Sequence, residues 1–158
     1  MAEGGQSSSM KIDGFLKVPD IPGPSERDGH EEEIEIHGVH FKMEAPRDAN
    51  TLSRRGRVSL GMVTFTKHYD MASPYLKRAI FDNTVFDEVK FSARRTIEGE
   101  TSDYLVVTLK KASVLQYEMK QSEDQEDLIE EDVGFAFQTI VFNYDDSHEI
   151  EMDVRVGM

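Results

Sequence analysis

The chain has 158 residues, a formal net charge of −13, 38% hydrophobic residues and no cysteine. That length and apolar content suit one domain burying roughly 70% of its unfolded surface. The charge argues against nucleic acid as a partner, because phosphate binding draws on clustered Lys and Arg. The missing cysteines exclude disulfides, thiol catalysis and thiolate metal ligation.

Residues 1–10 are small and polar and are expected to form a disordered lead-in to a single domain over 11–158. This opening lacks the basic and apolar blocks of a Sec signal peptide, and no apolar run in the chain is long enough to insert in a membrane. "KIDGFLKV" sets Ile12, Leu16 and Val18 against Asp13 and Lys17, which suits a strand with one buried face. "PDIPGPSERDG" reads as a loop, with three Pro and two Gly. In "EEEIEIHGVHFKME", Ile34 and Ile36 share one parity while Val39, Phe41 and Met43 share the other. Keeping one face apolar across that switch requires an extra residue, so a β-bulge is expected at His37-Gly38.

Residues 45–56 carry little apolar content and read as a long exposed loop. "RVSLGMVTFTKHY" returns to strand, with a phase shift between Met62 and Val63. In "DMASPYLKRAIFDN", Ser73-Pro74 suits an N-cap followed by Pro at the first helical position, with Asp70 as a rival cap. Leu76, Ala79 and Ile80 then form an apolar stripe at helical spacing. A helix of about ten residues is marginal alone, so this stripe must dock, and the barrel itself is the expected dock.

"VFDEVKFSARRTI", "DYLVVTLKKASVLQYEMK", "VGFAFQTIVFNYD" and "HEIEMDVRVGM" follow as strands. The last has the clearest alternation, with Ile150, Met152, Val154 and Val156 on one face. Between the second and third, "SEDQEDLIEED" (122–132) holds seven acids and no base and is expected to be a solvated loop. Seven to nine strands with short turns indicate a β-barrel or sandwich.

A search for chemistry in the residues returns little. His30, His37 and His40 near Glu31–Glu33 lack the compact spacing of a metal motif, and surface or structural roles are expected for all five histidines. The acidic runs lack the pattern of a Ca²⁺ loop. "GGQSSS" has no P-loop lysine, and no Ser, His and Asp fall in a nucleophile-elbow context. The reading is therefore no enzyme, no cofactor and no metal. One charge feature is positional. Arg47, Arg54, Arg55 and Arg57 cluster in and beside the 45–56 loop, while acids including Glu126 and Asp127 cluster at 122–132. Opposite patches on separate loops suit head-to-tail contacts between copies.

Three segments also carry a family resemblance. "IDGFLKVPDIPGPS" is similar to an opening strand and turn. "VTFTKHYDMASPYLKRAI" matches a k-x-x-D-x-x-S-P-x-L-x-x-A signature through Lys67, Asp70, Ser73, Pro74, Leu76 and Ala79. "YLVVTLKKASVLQYEMK" and "GFAFQTIVFNYD" are similar to paired strands ending in an aromatic-rich run. In this order, over about residues 11–145, they resemble the haemolysin-coregulated protein family, the inner-tube subunit of the type VI secretion system. The lead-in and the acidic segment are longer than the family pattern.

The resemblance implies an all-β fold with one α-helix: a closed β-barrel of two packed, mostly antiparallel sheets with a lateral helix. It also implies hexameric rings that stack into a hollow tube. Its implied partners are a contractile sheath, a valine-glycine-repeat spike protein and effector proteins held in the lumen. Assembly in the cytoplasm and export through the secretion machine, without a cleaved signal peptide, follow from the same likeness, as does the lack of catalytic residues. The basic and acidic loops then become expected inter-ring contacts. Two alternatives fit the residues: a phage tail tube protein, or a monomeric small-ligand-binding barrel.

Overall fold

The computed structural model describes residues 11–48, 50, 51, 53 and 56–154. The elements run β1 (Asp13–Lys17), β2 (Ile34–Ile36), β3 (Gly38–His40), β4 (Met43–Glu44), β5 (Ser59–Leu60) and β6 (Val63–His68). They continue with α1 (Ser73–Phe81), β7 (Phe86–Ile97), β8 (Glu100–Gln121), β9 (Ile129–Ala136), β10 (Thr139–Tyr144) and β11 (His148–Asp153). The expected lead-in at 1–10 and the residues from Arg155 onward lie outside the described residues.

The 22-residue strand β8 joins two antiparallel sheets. Its first half pairs with β7 on one side and β10 on the other. The sheet extends outward to β1 and β2 beyond β7, and to β11 beyond β10. Its second half pairs with β9, which continues to β6 and β3. Between the halves, Lys111 takes a left-handed φ of 53°, and the register shifts between Val114 and Gln116. A bulge of this kind bends and twists a strand, which lets one strand serve both layers. At the opposite side the chain passes directly from β2 to β3, and the two sheets close on a common core. Phe65 of β6 lies 5.1 Å from Phe91 of β7 and 5.8 Å from Phe135 of β9, ring centre to ring centre.

The β2–β3 corner corrects the expected bulge. β2 pairs with β1 and β3 with β6, so the phase switch at His37 marks a change of sheet, not an extra residue in one ladder. His37 donates its backbone N–H to Thr66 at 2.9 Å as the chain crosses. Ile34 and Ile36 are buried, whereas beyond the switch only Phe41 packs against the core and Val39 and Met43 are exposed, so the apolar face is not kept in full. β4 and β5 form a separate two-stranded ribbon at the base of the 45–58 segment.

The Pro- and Gly-rich stretch after β1 is a loop, mostly exposed, that buries Ile21, Gly23 and Ser25 along its inner side. It folds over the outer face of β1, stacking His30 on Phe15 at 4.4 Å with the rings nearly parallel. Gly23 has to be glycine here. A Cβ would stand 2.4 Å from the backbone oxygen of Glu33, a contact that backbone cannot yield.

Candidate functional site

The best-defined polar centre lies between the end of β6 and the start of α1. Lys67 and Glu131 face each other in the β6–β9 ladder, and their side chains are 1% and 0% exposed. Lys67 Nζ, with three protons to share among four acceptors, lies 2.6 Å from Glu131 Oε1, 3.0 Å from Asp70 Oδ1 and the His68 carbonyl, and 3.1 Å from Ser73 Oγ. Ser73 Oγ donates to Glu131 Oε1 at 2.8 Å and accepts the Asp70 backbone N–H at 2.9 Å. The Tyr117 hydroxyl donates to the second oxygen of Glu131. Burial first, then that bond, pushes the Tyr117 phenol well above its ordinary pKa. A buried ion pair is tolerated only when its remaining donors and acceptors are satisfied, and here helix, loop and sheet all supply partners.

This arrangement revises two sequence expectations. Ser73 is the first residue of α1, not its cap: Ala72 stands at the N-cap, and no side chain caps the helix there. The Ser73 hydroxyl is committed to Lys67 and Glu131, while Asp70 accepts the Ala72 N–H at 2.8 Å and shapes the turn before the helix. The acidic segment 122–132 is also not all loop, since Glu130, Glu131 and Asp132 belong to β9. The loop proper, 122–128, is ordered by its own bonds, among them Ser122 N–H to the Leu128 carbonyl at 2.9 Å. Lys11 pairs with Asp124 at 2.8 Å.

On the helix stripe, Leu76 and Ala79 are buried in the chain's own core, and Ile80 is half-buried against it. The opposite face presents Tyr75 and Phe81 to solvent. Of the residues expected at ring contacts, Arg47 and Arg57 are exposed near the two ends of the 45–58 segment, whereas Arg54 and Arg55 lie outside the described residues. Glu126 and Asp127 sit on the exposed 122–128 loop.

His40 and His148 are exposed, and the other three histidines divide into two environments. His30 is buried between carboxylates, with Nδ1 2.8 Å from Glu33 Oε1 and Nε2 2.9 Å from Asp103 Oδ2. Burial opposes ionisation of Asp103, yet the bonds from His30 and Arg94 outweigh it and hold its pKa below the usual value. His37 and His68 face one another beside Glu130, where burial and then the neighbouring His37 lower the pKa of His68. Sequence reasoning grouped His37 with His30, His40 and Glu31–Glu33. It missed His68 and Glu130 as neighbours, because they meet only through the β6–β9 register.

The family model described as "Type VI secretion system effector, Hcp" matches residues 10–144. The chain belongs to the Hcp family, the haemolysin-coregulated proteins of the type VI secretion tube. Protein hcp1 of Pseudomonas aeruginosa is 26% identical over 137 residues, covering 85% of this chain and 84% of its own. The Major exported protein of the same organism is 25% identical over 96 residues, 61% of this chain and 56% of that one. The crystal structure of Hcp1 from Salmonella typhimurium superimposes with a TM-score of 0.76 at 25% identity, covering 94% of this chain and 98% of that chain. Hcp1 from the E. coli EAEC 042 pathovar, in a doubly substituted form, gives a TM-score of 0.78 at 22% identity, covering 90% and 97%.

Within this Hcp chain the polar positions of the k-x-x-D-x-x-S-P motif have a common physical task. Lys67, Asp70 and Ser73 are the three motif residues that hold α1 to the barrel, and Glu131 is their partner from β9. The sequence did carry a signal for Glu131. It shares the inward parity of Val133 and Phe135, so it is a lone charge on an apolar face, as Lys67 is among Val63 and Phe65.

Proposed function

We propose that the chain assembles as hexameric rings that stack into the inner tube of a type VI secretion system. A contractile sheath drives that tube out of the cell behind a valine-glycine-repeat spike, with effector proteins carried in its lumen. The observation that carries this reading is the family match along residues 10–144, on a barrel that superimposes on Hcp structures over nearly its whole length. The name of the relative called Major exported protein supports the same fate of export for this chain. Subunit edges support lateral association. β11 pairs with β10 on one side only among the described residues, and its Ile150 is 58% exposed. An unprotected strand edge with apolar side chains is what a neighbouring copy covers in a closed ring.

Size-exclusion chromatography with light scattering tests the assembly. The expected mass is six times the 18.0 kDa of the chain, with rings visible by negative-stain electron microscopy. A mass that stays at one chain across a wide concentration range overturns the reading.

A further inference from the structure

His37 lies at the corner between β2 and β3, His68 ends β6, and Glu130 stands opposite His68 in the β6–β9 ladder. One ligand atom from each lies within 4.8 Å of the others. The two imidazole centres are 4.5 Å apart, and His37 Nε2 is 2.9 Å from Glu130 Oε2. We propose that these three side chains form a site for a divalent transition-metal ion of the Zn²⁺ type, with water in the fourth coordination position. The site is independent of the tube reading.

The donor set selects the class of ion. Two imidazoles and one carboxylate suit Zn²⁺ and its neighbours, whereas Ca²⁺ and Mg²⁺ require shells of oxygen. Three protein ligands with one open position is a recurrent zinc arrangement. Donors bound at zinc distances in a tetrahedron stand about 3.3 Å from one another. The His37–Glu130 pair at 2.9 Å and the 4.8 Å limit on the whole set put the three donors within small side-chain adjustments of that spacing. His37 and Glu130 are largely buried, with side chains 15% and 14% exposed. A cavity of about 680 Å³ lined by His37, His68, Asp70 and Asp124 gives an ion a way in and gives the fourth ligand room. The nearby cations do not oppose entry strongly, because Lys11 is paired with Asp124 and Lys67 with Asp70 and Glu131. An ion held here would tie the β2–β3 corner to both β6 and β9.

The test uses the full chain without a histidine tag, stripped by chelator and titrated with Zn²⁺ by calorimetry and with Co²⁺ by visible absorption. The expected result is one ion per chain with a Kd of about 10 µM or tighter. Bound Co²⁺ should show the intense d–d bands of four-coordination, and Tm should rise on loading. His68→Asn and Glu130→Gln each weaken binding at least tenfold, and His148→Asn leaves it unchanged. The unsubstituted protein decides the matter even where a variant fails to fold. If it takes up no ion at micromolar concentrations, or if both site variants retain full affinity, the proposal is overturned.

Discussion

Lys67 and Glu131 are separated by 64 positions in the chain yet meet at 2.6 Å, both withdrawn from water. Their mutual attraction does not by itself stabilise the fold, because removing two charges from water costs several kcal/mol for each. The surrounding oxygens of Asp70, Ser73, His68 and Tyr117 make the arrangement tolerable, and they also specify where α1 begins. Deleting one charge should therefore hurt far more than deleting both. Lys67→Met leaves Glu131 buried without a cation and is expected to lower unfolding free energy by about 3–5 kcal/mol. Lys67→Met with Glu131→Leu should recover most of that loss, though Tyr117 and Ser73 lose their acceptor. Urea unfolding at one fixed protein concentration measures both, since assembly contributes to apparent stability. A loss below about 1 kcal/mol in the single variant would show that the pair does not anchor the helix.

At the level of elements, α1 has one face inside the molecule and one outside. Leu76 and Ala79 sit in the core, and Phe81 is 83% exposed. Leu76→Ala should cost about 2–5 kcal/mol through lost transfer energy and the cavity left behind. Phe81→Ser should change monomer stability by no more than about 0.5 kcal/mol. Equal losses in thermal or urea unfolding would contradict a helix docked through Leu76 on its own barrel. The stripe that makes this assignment was legible because α-helical spacing is local, as were the strands with strict alternation. The β2–β3 corner was not, because a change of sheet and a bulge leave the same phase switch in the sequence. Only the partners of Ile36 and Gly38, β1 and β6, distinguish them. The acidic run misled for a related reason. Charge density suggests solvent, but Glu131 is a member of a ladder whose partner lies far away in the chain. The histidine cluster was hidden by the same long-range register.

For the whole molecule, the sequence puts opposite charges in two segments that depart from opposite ends of β6. The 45–58 segment leaves β3 and returns to β6 at its Val63 end, through the β4–β5 ribbon. The 122–128 loop joins β8 to β9 beside Glu130, which is paired with His68 at the other end of β6. Strand rise separates the two ends by about 17 Å over those six residues. The first loop carries Arg47, Arg54, Arg55 and Arg57 in or beside it, and the second carries Glu123, Asp124, Glu126 and Asp127. We propose that these loops meet head-to-tail between stacked rings, whereas side-by-side contact within a ring draws on strand edges and apolar residues. Reversing the four arginines to Glu should therefore leave the hexamer intact but shorten tubes seen by electron microscopy, with added salt reducing the difference from the parent chain. Changing Glu126 and Asp127 to Lys should have the same effect, and combining the two reversals should restore tube length by re-forming opposite pairs. Unchanged tube length and salt response in the arginine variant would remove these loops from the stacking interface.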